Sequence, residues 1–324
     1  MTELVEHGQL FIGGEWTDPL GTGTIRVVSP HTEQVIGSVP HACEADVDRA
    51  VAAARKAFDE GPWPRLSLDE RIAVVTRIKD AIAVRHEEIA RSISAQNGSP
   101  YSWSVLAQAL GPMMVYDAAI TVARAYPYEE YRQGALGPIL VRREPVGVVA
   151  AVIPWNVPQL GPLVAERQRR RSLDYIRLGQ EEGAKVLTGG SRPAGLERGW
   201  YVEPTLFGDV DNSMRIAREE IFGPVVCLIP YGDEAEAVRI ANDSEFGLSG
   251  SVWTGDAEHG VDFARRVRTG TFNVNTFSLD MLGPFGGYKN SGVGREFGPE
   301  GLSEYLEHKM IHLPAGYRAP GAGA

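Results

Sequence analysis

Hydrophobic residues recur along the chain with two different periods, and the change of period separates predicted strands from predicted helices. Near the N-terminus, short β-branched runs interrupted by Gly and Pro predict strands. These predicted strands are 11–16, 24–28 and 34–39. The period then becomes 3.6, because Val47, Val51, Ala54 and Phe58 share one face of a helix predicted over 44–60.

Two more helices and two extended runs complete the first half. Ser67 and Glu70 have the spacing of a capping box, which opens a second helix. Its predicted buried stripe is Ile72, Val75, Ile78 and Ile82. A third helix is predicted over 102–125, followed by extended runs at 137–144 and 146–153. The second run is apolar on both faces, which predicts a central parallel strand.

The second half alternates strand and helix at the spacing typical of an α/β fold with mainly parallel pairing. The predicted helices are 164–182, 234–242 and 257–267. The predicted strands are 184–188, 200–206, 225–229, 249–253 and 271–275. A short helix that runs into an exposed strand is predicted over 301–313.

Composition narrows the class of protein. The 324 residues are 43% hydrophobic and 23% charged, which is a globular composition with enough residues to form a core without disulfides. A net charge of -10 argues against a general binder of nucleic acid or anionic membranes. The N-terminus lacks a secretory pattern, and the apolar run 146–155 is about half the length of a membrane span. We therefore predict a cytoplasmic protein with no nucleic-acid or membrane partner.

Isolated candidates for chemistry have simpler structural explanations. Four arginines within 167–171 stand beside acidic residues, as on a solvated helix face. His308 and His312 have helical ligand spacing, but the segment changes from helix to strand, so no metal site is predicted. Cys227 is predicted to be a small buried hydrophobe. Cys43 is predicted to cap a helix, where the helix dipole would favour its thiolate.

Three motifs together change this picture. They are Ile-Pro-Trp-Asn-Val-Pro at 153–158, Glu-Glu-Ile-Phe-Gly-Pro-Val at 219–225, and Pro-Phe-Gly-Gly-Tyr-Lys-Asn-Ser-Gly-Val-Gly-Arg-Glu-Phe-Gly at 284–298. In this order the chain resembles the NAD(P)-dependent aldehyde dehydrogenase superfamily over almost its entire length. The resemblance implies oxidation of an aldehyde to a carboxylic acid with NAD or NADP. It also implies a Rossmann-type cofactor domain, an α/β catalytic domain and β oligomerisation elements.

The same resemblance assigns roles to five residues. Asn156 matches the asparagine whose amide donates a hydrogen bond to the oxyanion, and is the catalytic residue. Glu220 matches the carboxylate that binds the nicotinamide ribose, and Phe222 matches the aromatic beside the ring. Ile153 and Trp155 match backbone and packing positions along the cofactor. Without the family, strand-end packing would explain Ile153 and Trp155, and a turn before a strand would explain the other two.

The chain departs from the family between two adjacent segments. After the asparagine, the family has an adenosine-ribose lysine, a Gly-rich turn, a Glu-Leu-Gly-Gly base motif and a Gly-Gln-x-Cys nucleophile. This sequence passes from 156–159 directly to 160–168, and neither Cys43 nor Cys227 has the nucleophile's neighbours. We therefore interpret it as an internally truncated member, short by roughly 150 residues, about one domain. Such a loss leaves apolar faces uncovered and strand edges unpaired.

The resemblance also divides the chain into remnants of the family's parts. Segments 1–122 and 146–159 are predicted to belong to the cofactor domain, and 160–304 to the catalytic domain. Segments 123–145 and 305–318 are the predicted oligomerisation strands, followed by a tail at 319–324.

Three functions remain open at this stage. The first is an active dehydrogenase with a compensating nucleophile. The second, which we prefer, is a catalytically impaired family member whose cofactor binding is weak or lost. The third is a non-catalytic partner that co-assembles with a full-length aldehyde dehydrogenase. The expected partners are a small aldehyde and further copies of this chain or of a paralogue.

Overall fold

The structure is a computed structural model that describes residues 5–157 and 161–319. The helices are α1 (Glu44–Asp59), α2 (Leu68–Val84), α3 (His86–Asn97), α4 (Tyr101–Trp103), α5 (Gly111–Ala125), α6 (Glu166–Glu181), α7 (Arg215–Arg218), α8 (Glu234–Asn242), α9 (Ala257–Arg266) and α10 (Gly298–Ser303). The strands are β1 (Val5–Glu6), β2 (Leu10–Ile12), β3 (Glu15–Thr17), β4 (Thr24–Val28), β5 (Val35–Pro40), β6 (Glu129–Gly134), β7 (Gly137–Pro145), β8 (Lys185–Thr188), β9 (Thr205–Gly208), β10 (Val225–Cys227), β11 (Phe246–Gly247), β12 (Ser249–Val252), β13 (Thr271–Val274), β14 (Tyr288–Lys289) and β15 (Leu306–His312).

The described strands form six small sheets rather than one large one. Three sheets have three strands, in the orders β1-β5-β4, β10-β9-β8 and β15-β7-β6, and the others are the pairs β2-β3, β11-β14 and β12-β13. Pairing is parallel between β1 and β5, β9 and β10, and β12 and β13, and antiparallel elsewhere. The architecture is therefore mixed α/β, as predicted.

Most predicted helices are confirmed, and their first turns show why they begin where they do. At α2 the predicted capping box is present: Glu70 N donates to Ser67 Oγ (3.3 Å) and Ser67 N donates to Glu70 Oε2 (2.8 Å). At α8, Glu236 N donates to Oδ1 of the capping residue Asp233 (2.8 Å). These bonds satisfy amide groups that have no partner within the helix.

The strand predicted over 146–153 is wrong. Residues 146–157 have no regular structure, and the side chains of Val152 and Ile153 are 90% and 89% exposed. A parallel strand needs neighbours on its edges, and the described residues supply none here. The strand predicted over 200–206 is also largely wrong, because regular pairing begins only at Thr205.

Two predicted helix faces are only partly covered. On α1, Val47 and Val51 are exposed, and on α2, Ile72 is buried whereas Ile78 is exposed. The helical stretch Tyr101–Ala125, in which a π-helical turn joins α4 to α5, has the length and composition of a membrane-crossing helix, with a mean hydropathy of 1.4. In this structure α5 packs against α2 and α10.

The principal core lies in the second half of the chain. Its buried members are Leu163, Ile176, Ala184, Val202, Phe207, Val210, Ile216 and Ile221. Phe207 on β9 is completely buried, and α6 approaches it at Gly179. A Cβ at Gly179 would lie 3.0 Å from the Phe207 ring and 2.9 Å from Ile216, so this close packing requires glycine. The core thus fixes α6 against the loop that follows α7.

Candidate functional site

A cavity of about 480 Å³ lies beside the loop that joins α7 to β10. It is lined by Asn156, by Ile216 and Ala217, by 219–223, and by Val225, Cys227 and Ile229. Three residues that the sequence assigned to one site, Asn156, Glu220 and Phe222, therefore line a single cavity. Ile153 does not join them, since its side chain points into solvent.

Trp155 connects the segment 146–157 to both halves of the chain. Its Nε1 donates a hydrogen bond to Oδ1 of Asn97, the last residue of α3 (3.0 Å). Its ring meets the Phe222 ring edge-on, with centroids 5.4 Å apart. An edge-to-face pair of this kind is a favourable aromatic arrangement. The contact brings the segment ending at Asn156 to the cavity.

Arg171 on α6 holds the loop that carries Glu220 and Phe222. Its Nε donates to the carbonyl of Ile221 (3.1 Å), and its Nη2 donates to the carbonyl of Glu220 (2.5 Å). The guanidinium also lies over the Tyr175 ring, 4.9 Å from its centroid. Sequence reasoning placed Arg171 on a solvated helix face and missed this role, because the contact spans about fifty residues of chain.

Glu219 anchors the same loop through its side chain. Its carboxylate accepts hydrogen bonds from Arg215 Nε (2.7 Å) and from the Tyr175 hydroxyl (2.5 Å). These bonds, that from Arg215 first, lower the pKa of Glu219 to about 2. The bond to Glu219 also raises the pKa of the Tyr175 hydroxyl, which therefore stays a donor.

Backbone geometry fixes the loop's turn at Phe222 and Gly223. Phe222 has a φ of +55°, in the left-handed region that residues other than glycine rarely adopt. Gly223 is buried against α6, where a Cβ would clash with the Ser172 hydroxyl. The Glu220 carboxylate is exposed at the cavity, and it forms no ion pair within the described part of the chain. It is therefore free to accept hydrogen bonds from a ligand's hydroxyl groups.

The two cysteines lack the features of an activated nucleophile. Cys227 lines the cavity, but its thiol is half-buried and lies 3.5 Å from the Ile216 carbonyl, and burial raises its pKa. Cys43 occupies the N-cap of α1, as predicted, and is not among the residues that line this cavity. Among residues 5–157 and 161–319, no group of His, Cys, Asp or Glu is arranged to hold a metal ion.

Acidification is expected to release the Glu219 anchor. The folded state lowers the pKa of Glu219 from 4.5 to about 2, so it favours the charged carboxylate. The stabilisation that the charged carboxylate gives to the loop is therefore complete above pH 4.5, and it is lost as the pH falls through about 2. Hydrogen exchange of residues 219–223, corrected for its intrinsic pH dependence, should rise over that interval. Glu219→Gln should remove the transition. Glu130→Gln is the matched control, because Glu130 also has a pKa of about 2 but pairs with Arg132 and Arg143. An unchanged transition in Glu219→Gln would contradict this assignment.

Comparison with known proteins identifies the class that these features define. Two segments, residues 16–160 and 159–311, match the model of the aldehyde dehydrogenase family. The chain belongs to this family. The two matches adjoin at residues 159–160, outside the residues that the structure describes. Since the chain has 324 residues whereas its relatives align over about 475, it is an internally truncated member.

Individual relatives agree with this placement. Geranial dehydrogenase of Castellaniella defragrans is 29% identical over 476 aligned residues, which include 95% of this chain and 99% of that protein. That alignment is longer than the 324 residues of the chain itself. Among solved structures, a Mycobacterium tuberculosis aldehyde dehydrogenase complexed with NAD+ has a TM-score of 0.95 and 31% identity, with 98% of this chain and all of that chain covered. An aldehyde dehydrogenase C mutant from Pseudomonas syringae, complexed with NAD+ and octanal, has a TM-score of 0.87 and 28% identity, with 95% and 98% covered.

Proposed function

We propose that this chain is an aldehyde dehydrogenase-family protein that does not catalyse the family's NAD(P)-dependent oxidation of an aldehyde to a carboxylic acid. One observation carries the proposal: the two family matches meet at residues 159–160. At that position the family resemblance expects the nucleophilic cysteine, the general base and most of the dinucleotide site. Among the described residues, the cavity has Asn156 and Glu220 but no thiol with a nucleophile's surroundings.

The remaining site residues keep the roles that the resemblance implies. In this proposal the Asn156 amide would donate to an oxyanion, and the Glu220 carboxylate would accept hydrogen bonds from ribose hydroxyls. Phe222, packed against Trp155, would lie along the nicotinamide ring. Ile153 would belong to the cofactor's backbone contacts, but it is exposed here.

A complete NAD or NADP does not fit the residues that are present. The cavity supplies groups for one end of a dinucleotide, while the segment before Asn156, at 146–153, is open to solvent. A dinucleotide site normally encloses its ligand between a sheet edge and helix N-termini. We therefore propose that binding of either cofactor is weak or lost, and we assign no reaction step to it.

The proposed domain remnants follow the family's plan. They are 1–122 with 146–159 for the cofactor domain, 160–304 for the catalytic domain, and 123–145 with 305–318 for oligomerisation. The antiparallel pairing of β7 with β15 supports the last of these, because it joins the two oligomerisation segments in one sheet. A cytoplasmic location is part of the same proposal.

Thermal unfolding in the presence of NAD+ and NADP+ tests the cofactor proposal. Because a ligand that binds only the folded state must raise Tm, we expect Tm to stay constant as either dinucleotide is titrated. A full-length relative provides the positive control. A saturable rise in Tm that Glu220→Gln abolishes would contradict the proposal and would show that the remaining groups bind the ribose.

A second function, co-assembly with a full-length aldehyde dehydrogenase, is favoured by the sheet β15-β7-β6. Strand β15 lies at its edge, and residues 307–312 are exposed. Such an edge can pair with another chain. Native mass spectrometry with and without a full-length paralogue distinguishes this function, since only co-assembly gives a mixed species.

A further inference from the structure

Residues 146–153, here named the open segment, have an apolar sequence and unpaired backbone. Its sequence, Val-Gly-Val-Val-Ala-Ala-Val-Ile, contains no charge and no proline. Val146 N donates to the Tyr305 carbonyl (2.9 Å), and no other backbone hydrogen bond joins the open segment to a described residue. Its amide and carbonyl groups beyond Val146 are thus available for pairing with another strand.

The side chains of the open segment are equally uncovered. Val152 and Ile153 are the most exposed, and Val146, Val148 and Val149 are also exposed. Helix α1 lies next to the start of the open segment: a Cβ on Gly147 would stand 3.1 Å from Nη1 of Arg55. Val51 and Val47 lie one and two turns before Arg55 on the same helix face, and both are exposed.

We propose that the open segment forms an antiparallel β-pair with the open segment of a second copy of this chain. A two-fold axis would place the same surface on both sides of the contact. The segment itself carries no charge, and the nearby Arg55 is already paired with Asp59 on the same helix (2.6 Å), so two copies approach without opposing unpaired like charges. Short segments with high β-propensity, no charge and no proline are those that pair with identical segments.

The area available indicates a reversible dimer. The two α1 valines and Val148, Val149, Val152 and Ile153 contribute twelve side chains from two copies. At roughly 60–120 Å² of apolar surface for each, they bury on the order of 1,000 Å². This value is at the lower limit for specific interfaces, so we expect an equilibrium between monomer and dimer that depends on concentration. None of these residues belongs to the β15 edge, which is Leu306–His312.

Sedimentation velocity over a range of protein concentrations tests the proposal. The wild-type chain should shift from monomer to dimer, and the double variant Val149→Lys with Val152→Lys should raise the dissociation constant by at least about tenfold. Val293→Lys is the matched control, because Val293 is 97% exposed in a different loop and should leave the equilibrium unchanged. Circular dichroism verifies that the variants keep their secondary structure.

Hydrogen exchange measured on the wild-type chain provides a second readout that needs no variant. Amides 148–153 should become protected as the concentration rises. A monomer at every concentration would overturn the proposal. A dimer that the lysine variant leaves intact, with amides 148–153 unprotected, would also overturn it and would indicate association through another surface, such as β15.

Discussion

The purified chain, with its intact mass verified, is expected to produce no NADH from NAD+ and an aldehyde above the rate without protein. Removal of a covalent nucleophile costs at least about four orders of magnitude in rate, and here the general base is absent with it. Asn156 alone would stabilise an oxyanion that no attacking group generates. The measurement is absorbance of NADH, with a full-length relative as the positive control and NADP+ as the second cofactor.

Cys227 provides the internal test of this expectation. It is the described thiol that lines the cavity, but burial raises its pKa, which disfavours the thiolate needed for attack. Cys227→Ala should therefore leave the background rate unchanged, as should Cys43→Ala. Saturable NADH production that disappears in Cys227→Ala would mean that this thiol acts as a compensating nucleophile.

Phe207→Ala should strongly destabilise the second half of the chain. Phe207 is completely buried within the principal core and packs against Gly179. Loss of a buried phenylalanine ring typically lowers the free energy of unfolding by about 3–5 kcal/mol, since it removes apolar burial and leaves a cavity. Domains have only about 5–15 kcal/mol in total. Urea denaturation followed by far-ultraviolet circular dichroism measures the change.

A neighbouring strand supplies the control for Phe207→Ala. Val226 on β10 pairs with Leu206 on β9, but its side chain is 58% exposed. Val226→Ala should therefore change the free energy of unfolding by no more than about 0.5 kcal/mol. Equal effects of the two substitutions would mean that the core does not depend on the Phe207 ring.

The sequence predicts those elements whose stability is local. The capping box at Ser67 and Glu70 and the strand–helix alternation from β12 to β13 lie where their patterns indicate. The strand at 146–153 fails because a strand exists only when another strand pairs with it, and a single sequence does not contain that information. For the same reason the apolar face of α1 is exposed, since nothing in the described chain covers Val47 and Val51.

The candidate site likewise contains residues that the sequence predicts and residues that it does not. Asn156, Glu220 and Phe222 come from two motifs, and their resemblance to a known family was enough to place them together. Arg171 and Tyr175 were not predicted, because their partners lie more than forty residues away and include backbone carbonyls, which leave no pattern in side-chain identity. The Arg-x-x-x-Tyr spacing on α6 was the only local signal available.

Arg171 binds the carbonyl oxygens of Glu220 and Ile221, and it makes these contacts with the main chain alone. Every residue type has the same backbone carbonyl oxygen, so the hydrogen bonds from Arg171 do not depend on which side chains the loop carries. Substitution can change the side chain at position 220 without moving the turn at Phe222. A loop held in this way can keep its backbone conformation after the catalytic function is lost, and its side chains can be substituted with little loss of stability.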